Sequence, residues 1–474
     1  MIRKTKIIAT ISSLNCSIDF IRSLYKAGMN VARLNTAHLN HEDALAVIEN
    51  IRAVSPKIGI LLDTKGPEIR TCKSHKPYPV KHGDYVRIKG APKEISLEDT
   101  ICVSHPHFVQ DVPVGSMILI DDGDIAMTAV KKENGTLVCH VENDGVIQGR
   151  KSVNIPSVHV KLPALSQQDK DFIEFAADND LDFIAHSFVR NEKDVIAVQQ
   201  ILDKKKSPIK IIAKIENSEG VENLFEILEH TYGIMIARGD LAVEIPTEEI
   251  PMIQKHIIRT CIEKRRPVIV ATQMLHSMIS SPRPTRAEVS DVANACLDRA
   301  DAVMLSGETA NGEYPEESVR VMAAIAQDVE DKWSSYNDVP YPMENKVTAY
   351  LAKSAVKAAA RLHTKAIVAD STTGRAIRAL AAYRGDSAIH AQVYDPRLLR
   401  QLSLSYGVDA HLLEKEKDSM ESLREAIGRL IEKKKIREED LIIILAGSLG
   451  PNRGATFIEI APAGELTACN YQEE

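Results

Sequence analysis

Short apolar runs that each close on polar or charged residues recur along the first two thirds of the chain. They occupy residues 5–11, 29–35, 58–64, 181–188, 209–216, 232–240, 267–273 and 301–308. Each is rich in Ile and Val and apolar without alternation, which is how a parallel strand covered on both faces reads. Helical periodicity lies between most of them, as at residues 17–28, 42–54 and 247–265. Asp19, Glu42 and Glu248 stand near helix starts, and Gly28 follows an apolar-periodic stretch as a C-cap would. Eight strand–helix units predict an α/β fold of the (β/α)8 TIM-barrel type, closed by right-handed crossovers.

Residues 66–163 break that rhythm. Alternating segments such as HGDYVRI and KKENGTLVCHV are joined by Gly-Asp, Asp-Gly and Asn-Gly turns. This pattern predicts an antiparallel β module. It is too long for a loop and is expected to form an inserted lid domain. A Ser/Pro/Asn-rich linker follows at 334–345. Beyond it, apolar runs at 366–371, 387–394, 441–447 and 456–461 alternate with helical stretches, including an amphipathic segment at 415–440. The expected organisation is a barrel from 1–65 and 164–335, a lid from 66–163, and a C-terminal open α/β domain from 345–474.

Composition narrows the class. The chain has 474 residues, 44% of them hydrophobic and 26% charged, which excludes fibrous and largely disordered chains. A net charge of -7 argues against broad nucleic-acid binding, while leaving room for local phosphate pockets. No apolar run approaches the roughly 20 residues of a membrane span, so no membrane association is expected. No signal peptide is evident, and the seven cysteines lack a C-x-x-C pair. Free thiols in a cytoplasmic protein are the expectation.

In barrels the chemistry sits at the C-terminal ends of the strands. Those ends carry Arg33, Asn35, Asp63, Thr64, Lys65, Ser187, Lys214, Glu216, Arg238, Asp240, Thr272, Ser306 and Glu308. One polar residue at a strand end is usually a cap. Charges of both signs at most of the ends are harder to explain without a ligand, because burying them unpaired is costly. Glu216 and Asp240 offer two hard carboxylates from adjacent strands, enough for Mg²⁺ (or Mn²⁺) completed by water and substrate phosphate. Lys214 and Glu216 are two apart in a strand and so share a face, where ammonium and metal could flank one phosphoryl group. A plain salt bridge is the alternative for that pair. Gly239 allows close backbone approach to an anion. Thr272 and Ser306 could position a carboxylate or relay a proton, or simply bond the backbone.

With these residues the chain resembles the pyruvate kinase family. The matching segments are AGMNVARLN (27–35), LLDTKGPEIR (61–70), KIENSEGVENLFEIL (214–228), GIMIARGDLAVEIP (233–246), ATQMLHSMISSPRPTRAEVSDVANA (271–295) and DAVMLSGETANGEYPEESV (301–319). They run in order through the whole barrel. The resemblance implies phosphoryl transfer from phosphoenolpyruvate to ADP, giving pyruvate and ATP, the last step of glycolysis. Catalytic roles would fall to Lys214, Thr272 and Ser306. Arg33, Lys214, Gly239, Asp240 and Thr272 would hold substrate; Asn35, His38, Arg70 and Lys151 would meet the nucleotide. Glu216 and Asp240 would ligate Mg²⁺, and Asn35, Asp63 and Thr64 would ligate K⁺. Phosphoryl transfer relies on positioning and charge neutralisation, which suits such a set.

Several positions depart from the family pattern. N-F-S-H-G is replaced by Asn35-Thr36-Ala37-His38-Leu39, so Ala37 removes a hydroxyl that would help hold K⁺. Glu68 is the residue type that accompanies K⁺ dependence in the family, and K⁺ activation is expected. His276 replaces the usual Glu, and T-I-G-P-A-S becomes Thr10-Ile11-Ser12-Ser13-Leu14-Asn15. In the C-terminal domain, Ser371, Thr372, Thr373, Gly374 and Arg375 precede a helical pattern, a ready anion site. The resemblance suggests a sugar-phosphate effector there, with Arg453 from a closing loop; an ordinary capped helix explains the segment equally well. It also suggests a homotetramer. His105-Pro106-His107 reads as lid surface, Trp333 as packed near the linker, and Asp121-Asp122-Gly123 as a turn. Two other readings compete: a catalytically silent relative, and a lyase acting on phosphoenolpyruvate or pyruvate. Lys214, Glu216 and Asp240 are all retained, which disfavours the first. The lid insertion and the Lys65–Arg70 segment disfavour the second.

Overall fold

A computed structural model of the chain describes residues 3–97, 100–156, 158, 160–333, 346–414, 419–447 and 454–467. The linker at 334–345 and Arg453 lie outside the described residues.

Eight parallel strands close a barrel: β1 (Lys6–Thr10), β2 (Val31–Asn35), β3 (Gly59–Asp63), β4 (Phe183–His186), β5 (Lys210–Ile215), β6 (Gly233–Ala237), β7 (Val268–Ala271) and β8 (Ala302–Leu305). Each pairs with its sequence neighbours, and β1 returns to β8 with Lys6 opposite Ala302. The continuous apolar runs follow from burial on both faces. Ile8, Leu61, Phe183, Ile212, Met235 and Ile269 fill the barrel interior. Alternate residues such as Ile7, Ile60, Ile184 and Ile211 pack outward against the helices. Helices start where caps are supplied: Ser17 accepts from the Phe20 amide, Asn40 from Asp43, and Thr285 forms a capping box with Glu288. Gly28 ends the first helix at φ 128°, a left-handed conformation that L side chains rarely adopt.

Between β3 and β4 the chain builds a six-stranded sheet with its own core around Val86, Ile88, Phe108 and Met127. It is antiparallel except that Tyr85–Gly90 and Thr100–Val103 run parallel. The C-terminal sheet has five strands in the order 408–412, 388–393, 366–370, 441–446, 457–462, parallel but for its last pair. Its first strand, Val408–Leu412, alternates buried and less buried residues at a sheet edge and carries no continuous apolar run to announce it. The amphipathic segment at 415–440 is helical over Ser419–Glu432.

Two local expectations are corrected. Trp333 is 58% exposed rather than packed. His105 is buried rather than on the lid surface, its Nε2 lying 2.7 Å from an Asp111 carboxylate oxygen. Among the described residues no helix is long and apolar enough to cross a membrane.

Candidate active site

The strand ends meet in one charged cluster at the C-terminal mouth of the barrel. Lys214 closes β5 with its ammonium 3.1 Å from Asp63, 2.9 Å from Glu216 and 2.8 Å from Ser187 Oγ. Asp63, at the end of β3, presents its other oxygen to the Arg33 guanidinium at 2.6 Å, and Arg33 also donates to Thr10 Oγ1 at 3.0 Å. Four strands therefore contribute to one hydrogen-bonded ion network. The expected face-sharing of Lys214 and Glu216 is realised as a salt bridge, which by itself is compatible with either reading of the pair.

Electrostatics set the charge state of each group. Burial opposes the Lys214 ammonium, but Asp63 and Glu216 reverse this and hold it above the usual lysine range. Burial likewise opposes the Asp63 carboxylate, yet Lys214 and Arg33 keep it below its ordinary value. Glu216 goes the other way: burial, with Asp240 and Asp63 nearby, raises it despite Lys214. Asp240 is raised by burial, with Asp122 and Glu68 adding repulsion from the lid side. Glu216 and Asp240 are thus two carboxylates short of positive charge, a donor set that fits a hard divalent cation.

Thr272 follows β7 at φ 70°, and Gln273 follows at φ 54°, two successive left-handed non-glycine residues. Such strain persists only where surroundings enforce it. The enforcement is visible: Thr272 Oγ1 accepts the Gly239 amide at 2.8 Å and donates to the Ala271 carbonyl at 2.6 Å. Arg238 grips the Thr272 carbonyl at 3.0 Å and is held by both Asp291 oxygens at 2.6 Å. Arg238 is therefore an anchor between strand ends. Ser306 follows β8, with its amide on Glu308, whose second oxygen takes the Leu275 amide.

The expected monovalent-cation residues lie together at the ends of β2 and β3, where Asn35 stands opposite Asp63. Asn35 Oδ1 accepts the Ala37 amide at 3.2 Å, Thr64 Oγ1 accepts the Ser187 amide at 3.0 Å, and the Asp63 carbonyl takes Thr36. The expected nucleotide residues divide. Arg70 and Lys151 stand at the root of the lid, paired with Glu68 at 2.8 Å and Asp121 at 2.7 Å. His38 is exposed on the loop after β2, its amide on the Asn35 carbonyl. Gly66 turns the chain toward the lid at φ 75°, where a Cβ would lie 2.7 Å from Phe188.

In the C-terminal domain, Ser371 Oγ accepts the Gly374 amide at 2.8 Å, and Gly374 caps the helix that begins at Arg375 in a left-handed conformation. That hydroxyl is engaged in its own turn. A second donor cluster, His390, Asp409 and His411, also lies in this domain. Asp409 already carries the ammonium groups of Lys57 and Lys435, so the cluster is charge-compensated without a metal.

Three contributors escaped the sequence reading. Thr10 supports Arg33. Asp169 is fully buried and accepts the Lys65 and Gly66 amides, fixing the root of the lid. His186 ends β4 fully buried with neither ring nitrogen hydrogen-bonded. Asp169 had a capping-box signal three residues after Ser166. Thr10 and His186 stood at strand ends without any pattern to separate them from their neighbours.

Comparison with known proteins agrees with this layout. The family model described as "Pyruvate kinase, barrel domain" matches residues 2–319, and "Pyruvate kinase, alpha/beta domain" matches 350–460. A pyruvate kinase of Borreliella burgdorferi is 47% identical over 464 residues, covering 96% of each chain. One from Bacillus licheniformis is 40% identical over 482 residues, covering 98% of this chain and 81% of its own. The crystal structure of a pyruvate kinase from Cryptosporidium parvum superposes with a TM-score of 0.91 at 37% identity, covering 97% of this chain and 96% of its own.

Proposed function

The chain belongs to the pyruvate kinase family, phosphotransferases that move the phosphoryl group of phosphoenolpyruvate to ADP and leave pyruvate and ATP, and from that premise we propose how its residues divide the work. Lys214 stabilises the phosphoryl group in flight. Its charge is fixed by Asp63 and Glu216, so it meets the transferring oxygens as a permanent cation. Arg33 contacts the same phosphate. Gly239 and Asp240 after β6, together with Thr272 after β7, cradle the substrate carboxylate, with Thr272 held in place by Arg238. Thr272 and Ser306 pass a proton through water to the carbon of the enolate.

Glu216 and Asp240 would hold a divalent cation, Mg²⁺ or Mn²⁺. A cation bound there would supply positive charge to neutralise the phosphoryl oxygens. Asn35, Asp63 and Thr64 take K⁺, with a backbone carbonyl or water where Ala37 offers no hydroxyl. Asn35, His38, Arg70 and Lys151 receive the nucleotide as the lid closes and excludes water. A sugar phosphate is the effector at Ser371, Thr372, Thr373, Gly374 and Arg375, with Arg453. The working form is a cytoplasmic homotetramer.

The observation that carries the reading is the Lys214 ammonium seated between the Asp63 and Glu216 carboxylates at the barrel mouth, with the Asp240 carboxylate nearby and, like Glu216, raised by burial. Pyruvate formation from phosphoenolpyruvate and ADP, run with Mg²⁺ or Mn²⁺ and with and without K⁺, tests it. Turnover that needs both cations is expected. Equal turnover without K⁺ removes the assignment to Asn35, Asp63 and Thr64, and turnover without a divalent cation removes that to Glu216 and Asp240.

A further inference from the structure

Two cysteines face each other at the root of the lid. The bridge between Thr71 and Val103 is antiparallel, which sets Cys72 opposite Cys102 on the adjoining segment. The Cys72 amide donates to the Cys102 carbonyl at 2.7 Å, so the two residues are direct cross-strand neighbours. Such neighbours have Cα atoms about 5.5 Å apart, within the roughly 4.4–6.8 Å range of disulfides. Their side chains also share a face. Cys72 Sγ lies 3.4 Å from the Ala91 carbonyl and Cys102 Sγ lies 3.7 Å from the Ile95 carbonyl, both beneath one short loop. That loop is closed on itself by the Glu94 amide on the Ala91 carbonyl. Both thiols are free in the structure, Cys72 half-buried and Cys102 buried.

We propose that Cys72 and Cys102 form a reversible cross-strand disulfide, a redox modification site of the lid. The oxidant is a small-molecule disulfide of the glutathione class. Cys72, the more exposed thiol, loses its proton to solvent, attacks one sulfur of the oxidant and expels the other as a thiolate. Cys102 then loses its proton and attacks the Cys72 sulfur, expelling the second small thiol. Two protein thiols are oxidised and one small disulfide is reduced to two thiols. Burial holds both cysteines above the ordinary thiol range, and each feels Glu94, so the exchange is slow at neutral pH and quickens as pH rises.

The site lies where the lid is tied to its root. Ser104 accepts the Arg70 amide through its hydroxyl and donates its own amide to the Arg70 carbonyl. A covalent link two residues on fixes the Arg70 segment to the strand Thr100–Val103. On the nucleotide reading of Arg70, oxidation raises the KM for ADP several-fold and leaves that for phosphoenolpyruvate unchanged.

The test incubates the full protein with oxidised glutathione at pH 8.5, followed by intact mass and non-reducing peptide mapping. The expected result is a linked pair of peptides containing residues 72 and 102, with loss of two hydrogens, reversed by dithiothreitol. Cys72→Ser should abolish the link, while Cys102→Ser should trap glutathione on Cys72. Persistent free thiols at 72 and 102 while Cys16 reacts would overturn the proposal, as would stable glutathionylation of Cys72 in the unsubstituted protein. The covalent result stands apart from the nucleotide reading: a link that forms without moving the KM for ADP overturns the regulatory step alone.

Discussion

Lys214 keeps its charge because two carboxylates outweigh its burial, and that balance makes it the residue whose removal is most diagnostic. Lys214→Met retains the stem and deletes the cation. Loss of a preorganised charge at a transition state lowers kcat by about 10²–10³-fold or more, while circular dichroism should show a folded protein of lowered stability, because Asp63 and Glu216 lose their buried counter-charge. Turnover near that of the unsubstituted enzyme would sink the role. Glu216 supplies a second expectation. Its pKa is raised, so its neutral form persists to higher pH than an ordinary glutamate, and protons compete with the divalent cation as pH falls. The Mg²⁺ concentration for half-maximal rate should therefore climb as pH drops through the weakly acidic range, and a flat profile there would contradict the assignment. His186 gives a stability expectation of the opposite origin. Burial lowers it from 6.5 to about 4. The unfolded chain then binds a proton below pH 6.5 that the folded chain refuses, so stability is lost as pH falls from 6.5 toward 4. The fall corresponds to at most ~3 kcal/mol. Denaturant unfolding at pH 7.5 and 5 should show a larger loss for the native chain than for His186→Ala, and equal losses would refute the account.

At the scale of elements, the barrel strands are legible because burial on both faces writes an uninterrupted apolar run, as in Ile7 to Ala9 and Ile234 to Ala237. The edge strand Val408–Leu412 is not, because one flank is open and its apolar positions merely alternate. The site follows the same logic. Lys214, Glu216 and Asp63 are legible as charges where strands end, but the Asp169 support is a tertiary bond from a helix start to a distant turn, which no spacing encodes. That bond carries its own prediction. Asp169 caps its helix through Ser166 and receives the Lys65 and Gly66 amides, all within a fully buried carboxylate. Asp169→Ala strands those donors, at about 1–3 kcal/mol for the unsatisfied amides plus about 1 kcal/mol for the cap. Chemical denaturation should show the loss, and the KM for ADP should rise because the lid root is no longer fixed. A stable variant with unchanged kinetics would show that the turn holds without its carboxylate.

For the molecule as a whole, the barrel is bound to the C-terminal domain at the end opposite the site by carboxylates that serve both sides. Asp301, just before β8, accepts the Val268 amide of the barrel at 3.1 Å and, across the boundary, the Tyr406 amide at 3.0 Å and Arg384 at 2.5 Å. Arg384 is 2% exposed, donates to the Arg299 carbonyl, and lies 4.8 Å over the Tyr406 ring. Asp182, just before β4, repeats the device with the Ile60 amide at 2.8 Å and Arg400 at 2.6 Å. Each carboxylate stands just before a strand beyond whose far end lies a site residue, Ser306 after β8 and Ser187 after β4. The docking contacts are therefore made at the starts of barrel strands, and Arg384 belongs to the segment that follows the helix capped by Gly374. Removing one partner of a buried pair leaves the other charge uncompensated and destabilises by about 3–5 kcal/mol. Arg384→Met should lower the denaturant midpoint accordingly while leaving the fully folded enzyme active, since no site residue is touched. Circular dichroism should place the variant's unfolding midpoint below that of the unsubstituted chain, whereas an unchanged midpoint would show that the ion pair does not hold the domains together.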